Sequence, residues 1–454
     1  MTWRARAGMA LDRFARGLAG GLSASLRWID STLRTLDRSA AAGRDLALRT
    51  AGLRAGDLTA PGLVSRLPES LRRAIEAVGR ALAVLGHRLG QTFRFVPEDR
   101  EWRQAATGLV LLLTVVTFSS LFLPPEARPL PPGLWRPVVV GYYENGWSAT
   151  YPDSLPTLQR YAERIDIVMP FWYSIHPDGT IEDRGVKGEV VDFAHANGLA
   201  VVPLMNNAKG GGSAGFLADP TARRAVAAEI KALVQENDYD GVHIDFEILP
   251  PSRREDLTSF MTEIRAALGP GRHVSMAVFP PVDVDYELSG VYDYAGLSDL
   301  CDFLVMMVYD HHYAGGPAGP ISPYEWVERN IAQTLALGVP AGKVVIAVGG
   351  YGYDWPTGAM ATDIPSRLVA DFARRRGAPL LWDTSSQNPY FTYYEGRNRH
   401  EVWYQDERIM AQRLEQARRY RLRGLAIWRL GYETTETWTV LAGELGVKRG
   451  PSGR

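Results

Sequence analysis

The run Asp240-Gly241-Val242-His243-Ile244-Asp245-Phe246-Glu247 sets three ionisable side chains at alternate positions. Along an extended strand successive side chains point to opposite faces, so His243, Asp245 and Glu247 share one face and Val242, Ile244 and Phe246 the other. Carboxyls two residues apart on a strand have Cα atoms about 6.6 Å apart and reach a bound substrate from the same side. Ordinary glycoside hydrolysis instead needs carboxyls flanking the sugar, one protonating the leaving oxygen and the other supplying attack from the opposite face. One strand does not readily do both. The pattern suits a substrate that carries its own nucleophile: a 2-acetamido oxygen attacks the anomeric carbon, Glu247 protonates the departing oxygen, and Asp245 holds the acetamido N–H. The negative charge of Asp245 is expected to raise the pKa of Glu247 and keep it protonated, as an acid must be.

Such a strand needs a framework that turns its polar face inward. Eight short apolar runs alternate with helical stretches from Arg136 onward: 138–143, 165–171, 199–204, 241–247, 273–279, 303–309, 344–350 and 424–430. Near-continuous hydrophobic strands separated by helices imply a parallel sheet covered on both faces, and eight units predict a (β/α)8 TIM barrel; a doubly wound open sheet is the alternative. Glu247 then lies closest to the C-terminal end of its strand, where barrel active sites lie. The longest gap, about 354–421, holds the alternating aromatic segments YFTYYEG and HEVWYQD, which predict a small α+β insertion between the seventh and eighth strands, walling one side of a cleft.

At these residues the chain resembles glycoside hydrolase family 18, whose fourth-strand motif is Asp-x-x-Asp-x-Asp-x-Glu. Asp240, Asp245 and Glu247 match three of its four positions. Met307-Val308-Tyr309-Asp310 is similar to the family's sixth-strand Met-x-Tyr-Asp, and Trp428 is placed like the eighth-strand tryptophan that floors the sugar site. The segments YDHHYAGGPAGPISPYEWV, GYGYDWP and HEVWYQD resemble the branch containing bacterial spore-cortex and cell-wall N-acetylglucosaminidases. The resemblance covers about Val138 to Val447. It implies a chitinase-like hydrolase of peptidoglycan or chitin-like glycans, with Glu247, Asp245 and Tyr309 catalytic, Tyr309 on the acetamido carbonyl, and Asp240, His243, Met307 and Asp310 supporting the motif. His243 is the departure, standing where the wider family has Asp and this branch often Asn. A neutral imidazole is expected to hydrogen-bond Asp245 as Asn would, and a protonated one to stabilise the Asp245 anion, so His243→Asn should keep turnover within tenfold and shift its pH limbs.

Aromatic residues near strand ends can stack on sugar faces. Tyr142, Trp172, Tyr351, Trp355 and Trp428 are the expected substrate-binding set, with Trp147 and Tyr353 beside them. Neither a metal nor a cofactor is implied. Adjacent His311 and His312 diverge without a completing carboxylate pattern, and the glycines 210–212 lack the Lys-Ser/Thr of a phosphate loop and predict a flexible rim. Cys301 is the single cysteine, so no intrachain disulfide forms.

The 454 residues divide unevenly in charge. Residues 1–103 carry 18 Arg, no Lys and 10 acidic residues, against 32 basic and 41 acidic residues in 104–454. The acidic majority offers no footprint for a nucleic acid. Residues 1–103 predict basic amphipathic helices, cytoplasmic by their arginine excess, whose protein partners the sequence does not name. Residues 104–123 are an uncharged run whose length, about 30 Å as a helix, matches a hydrocarbon core and predicts a single transmembrane helix. Residues 124–136 form a Pro-rich linker, and 137–448 the glycosidase domain, placed outside the cytoplasm. A silent carbohydrate-binding barrel and an envelope scaffold are the rival readings.

Overall fold

The computed structural model describes residues 135–207 and 215–445. The basic region 1–103, the apolar run 104–123, all but the end of the linker 124–136 and the glycines 210–212 lie outside these residues. No helix among the described residues is long and apolar enough to cross a membrane.

The strands follow the apolar runs closely, because β-branched residues pack well on a pleated surface buried on both sides. They are β1 (Val138–Tyr143), β2 (Ile167–Ile175), β3 (Ile181–Asp183), β4 (Ala200–Val201), β5 (Leu204–Asn207), β6 (Gly241–Asp245), β7 (His273–Val278), β8 (Phe303–Met306) and β9 (Val344–Gly349). After them come β10 (Tyr351–Pro356), β11 (Thr362–Pro365), β12 (Leu381–Asp383), β13 (Asn388–Glu395), β14 (Asn398–Tyr404) and β15 (Gly424–Trp428). Strands β1, β2, β5, β6, β7, β8, β9 and β15 pair in parallel in that order, and β15 pairs with β1, closing an eight-stranded barrel. The third barrel strand is split into β4 and β5 at Val202-Pro203, where proline has no N–H for the ladder. β3 folds back antiparallel on β2.

Alternation along each strand makes two cores. Outward residues, Val242, Ile244 and Phe246 among them, pack beneath the helices in one large cluster. Inward residues Val140, Tyr142, Met169, Leu204, Phe303, Val305, Val345 and Ala426 fill the barrel. Gly241 opens β6 because an added Cβ would stand 1.9 Å from the carbonyl oxygen of His273 on β7; without it the two strands could not approach at the barrel's lower rim.

Between β9 and β15 lies an antiparallel sheet in the order β11-β10-β14-β13-β12, packed on the helix Ser366–Arg375 through Ile364, Val369, Phe391, Tyr393 and Val402. This insertion starts at Tyr351 and ends at Tyr404, not at residues 354 and 421. The helix Glu407–Tyr420 belongs to the barrel instead, since its Ile409, Met410, Leu414 and Ala417 are buried in the outer core.

Candidate active site

The inward face of β6 is polar, and each of its side chains meets a different fate. His243 is fully buried, with Nε2 3.0 Å from the Tyr142 hydroxyl and Nδ1 2.9 Å from Ser275 Oγ. The expected hydrogen bond from His243 to Asp245 is therefore absent, because both ring nitrogens are engaged by Tyr142 on β1 and Ser275 on β7. Burial pulls the His243 pKa down to about 3, so the imidazole stays neutral at physiological pH. Asp240 stands at the opposite end of the strand, accepting from the Val201 N–H at 2.7 Å and pairing with His195 at 3.0 Å. It ties β4 to the helix Gly188–Ala196 and takes no part in the pocket.

β6 ends at Asp245, so Phe246 and Glu247 need other anchors. The Phe246 ring stacks on Phe260 beneath the helices, and the Tyr292 hydroxyl donates to its carbonyl oxygen at 2.9 Å. The Glu247 backbone is held by Asn207, whose Oδ1 accepts the Glu247 N–H at 2.9 Å and whose Nδ2 donates to the Glu247 carbonyl at 2.8 Å. Next, Ile248 takes a left-handed φ of 56°, uncommon for a β-branched residue, and is 56% exposed.

Asp245 and Glu247 open into a cavity of about 830 Å³ at the C-terminal mouth of the barrel, lined also by Tyr142, Met307, Tyr309, Asp310, Tyr351, Tyr353 and Trp428. Burial raises the pKa of Glu247 first, and the negative charges of Asp245 and Asp310 add to it. Desolvation thus outweighs the neighbouring carboxylate that the sequence alone suggests. Asp245 is also raised, by burial, partly offset by its interaction with Glu247. Asp245 Oδ1 is buried and has no hydrogen-bond partner in the protein. Asp310, at φ 58°, accepts from the hydroxyls of Tyr351 at 2.5 Å and Tyr353 at 3.2 Å, and burial still lifts it to about 6.

Trp428 stands edge-on to Tyr142 with ring centroids 5.2 Å apart, and the Trp428–Arg429 peptide bond is cis. Two expected sugar-binding rings lie elsewhere. Trp172 points outward from β2, fully buried against Tyr143, with its N–H on Asn145; its strand neighbour Phe171 lines the cavity instead. Trp355 shares the face of Tyr351 and Tyr353 but sits past the rim, packed with Ile321 and Trp403 and donating to the Gly316 carbonyl at 3.2 Å. Trp147, 64% exposed, stands at the rim and stacks on Tyr151. The sequence reading missed Asn207, Phe171, Glu144, Tyr151, Asp363, Arg429 and Tyr432, all on the cavity wall. A signal existed for Asn207: two amides, Asn206-Asn207, end an otherwise apolar strand.

His311 packs on Trp326, and His312 Nδ1 lies 3.0 Å from the Pro317 carbonyl. Among the described residues no group of three or more His, Cys, Asp or Glu is placed to hold a metal ion.

Residues 138–433 match the model of glycosyl hydrolases family 18. YdhD of Bacillus subtilis (strain 168), provisionally assigned as a sporulation-specific glycosylase, is 32% identical over 308 residues, covering 64% of this chain and 73% of that protein. The cortical fragment-lytic enzyme of the same strain is 31% identical over 244 residues, 51% of this chain; the match spans only 56% of that enzyme. The spore cortex-lytic enzyme SleL of Bacillus cereus has a similar fold, with a TM-score of 0.63 at 21% identity over 69% of this chain and 76% of SleL.

Proposed function

Since the chain belongs to glycosyl hydrolases family 18 and is a glycoside hydrolase, we propose that it cleaves β-linked N-acetylglucosamine-containing glycans, of peptidoglycan or chitin type, by a substrate-assisted retaining mechanism. The observation that carries this reading is that Asp245 and a raised, protonated Glu247 line one cavity together with Tyr309 and Trp428. An acetamido N–H donates to the Asp245 carboxyl, and the carbonyl oxygen of the same amide is thereby aimed at the anomeric carbon. Tyr309, on the wall beside Met307, supplies a hydroxyl to that carbonyl. The Tyr309 phenol is held protonated by burial, and by the nearby carboxyls, so it acts as a donor.

In the first step the acetamido oxygen forms its bond to the anomeric carbon as the glycosidic bond breaks, and Glu247 gives its proton to the leaving oxygen. In the second step Glu247, now a carboxylate, takes a proton from water, which opens the cyclic intermediate with net retention. Two amide-bearing polymers fit this chemistry; the relatedness to a cortical fragment-lytic enzyme supports a cell-wall glycan.

The apolar run 104–123 and the arginine-rich segment before it support a single-pass anchor that leaves this domain outside the cytoplasm. Fractionation of the full chain, with protease added to intact cells, tests that arrangement: a soluble protein, or a barrel shielded from protease, is the opposing result.

The catalytic reading is tested by incubating the enzyme with purified cell-wall glycan and with chitin oligomers and identifying the products by mass. New reducing ends carrying N-acetylglucosamine, absent with Glu247→Gln, are expected. Binding without cleavage at every pH would leave a carbohydrate-binding barrel instead.

A further inference from the structure

The cavity wall on the strand-eight side is assembled from three segments that are distant in sequence and bonded to one another. The Tyr151 hydroxyl, on the loop after β1, donates to Asp363 on β11 of the insertion at 3.0 Å, and both residues line the cavity. Behind them Arg367 fastens the same three segments: its Nη2 donates to the Thr150 carbonyl at 2.8 Å, and its Nε to the Gly431 carbonyl, after β15, at 2.8 Å. Its backbone N–H donates to the Tyr432 carbonyl at 2.9 Å. Arg429, 1% exposed, donates to the Pro152 carbonyl at 3.0 Å and lies over the Tyr432 ring. Insertion, strand-eight segment and strand-one loop are thus joined into one hydrogen-bonded wall.

The position of this wall relative to the acid gives it meaning. Resting on the reading under Proposed function, the sugar that supplies the acetamido group lies on Trp428 with its anomeric carbon toward Glu247. A leaving group that departs past Glu247 toward exposed Ile248 would leave the non-reducing side of that sugar to the wall. We propose that the pocket is blind at the strand-eight end and receives the non-reducing terminus of the glycan, so that the enzyme acts from chain ends and releases one short product of fixed size. Glu144 lies on that wall, a polar group where the free hydroxyls of a terminal sugar would be and where the apolar ring faces of an internal chain would not be served.

Two measurements test this. Long soluble chitin and purified cell-wall glycan are digested with the full chain, and products are sized from the earliest time points. A single short product, with solution viscosity falling late, is expected; an early ladder of lengths and an early fall in viscosity would overturn the blind end while leaving the glycosidase reading intact. Chitin oligomers whose non-reducing terminal 4-hydroxyl carries a bulky group should be cut at least tenfold more slowly than unblocked ones, and equal rates overturn the proposal. In the variants Tyr151→Phe and Arg367→Ala, the wall is loosened and internal cuts should appear, the second variant giving more. No hydrolysis of any of these glycans by the unaltered enzyme overturns the underlying reading and the proposal with it.

Discussion

The side-chain amide of Asn207 grips the backbone of Glu247 at both of its polar atoms, at 2.9 and 2.8 Å. The contact is in effect one more rung of the β5–β6 ladder, made by a side chain after the strand itself has ended. It fixes where the carboxyl starts from, and so where its proton can be delivered.

Asn207→Ala removes both bonds at once. We expect kcat to fall roughly 10²-fold, the size of a misplaced general acid, with KM changed less than threefold. Because Asn207 acts through position, substrates with a 4-nitrophenol leaving group, which departs without a proton, should lose far less. Equal losses on both substrates would show that Asn207 acts only on folding.

Glu247→Gln should lower kcat by about 10³-fold or more on natural glycans. Its effect on stability has a sign that follows from burial. Both carboxyls are raised in the folded state, so this contribution to stability is complete below the unfolded carboxyl value near pH 4 and is lost as pH rises through the folded values. The glutamine variant is free of the Glu247 share of that loss. Its Tm should exceed that of the parent at pH 8 by roughly 2–4 °C per kcal/mol relieved, and match it near pH 4; thermal melts at the two pH values decide.

His243 was expected to shape the pH profile of catalysis. Neutral down to about 3 and bonded to Tyr142 and Ser275, it does not titrate where the enzyme works. His243→Asn should therefore leave turnover within tenfold and the pH limbs in place. Stability should respond instead. Between pH 6.5 and 3 the unfolded chain binds a proton that the folded imidazole refuses, so stability falls as pH drops, by up to about 1.4 kcal/mol per pH unit. The variant should show a shallower acid slope in urea titrations, and an unchanged slope would mean that the buried ring is charged.

Trp428 and Trp172 separate function from packing. Trp428→Ala should raise KM at least tenfold while the barrel melts within a few degrees of the parent. Trp172→Ala removes a fully buried indole from the outer core and should cost about 3–5 kcal/mol of stability, with KM of the surviving enzyme unchanged within twofold.

The sequence by itself determined the barrel and the face that carries the chemistry. Eight apolar runs repeat with helical spacing between them, and the alternation in Gly241–Glu247 leaves three polar groups one inward direction, because apolar residues on the other face must meet the helices. Those are local regularities, legible residue by residue. What the tertiary structure decided is everything that depends on which strand ends meet. Phe171 and not Trp172 enters the cavity, a matter of one residue of phase beside a bulge in β2. Asn207 reaches Glu247 across forty residues, His243 turns to Tyr142 and Ser275 rather than to Asp245, and Tyr151 meets Asp363 across more than two hundred. Side-chain hydrogen bonds of this kind leave no periodic trace in the chain, since their geometry exists only once barrel closure has brought the loops after the first and eighth strands and the insertion together.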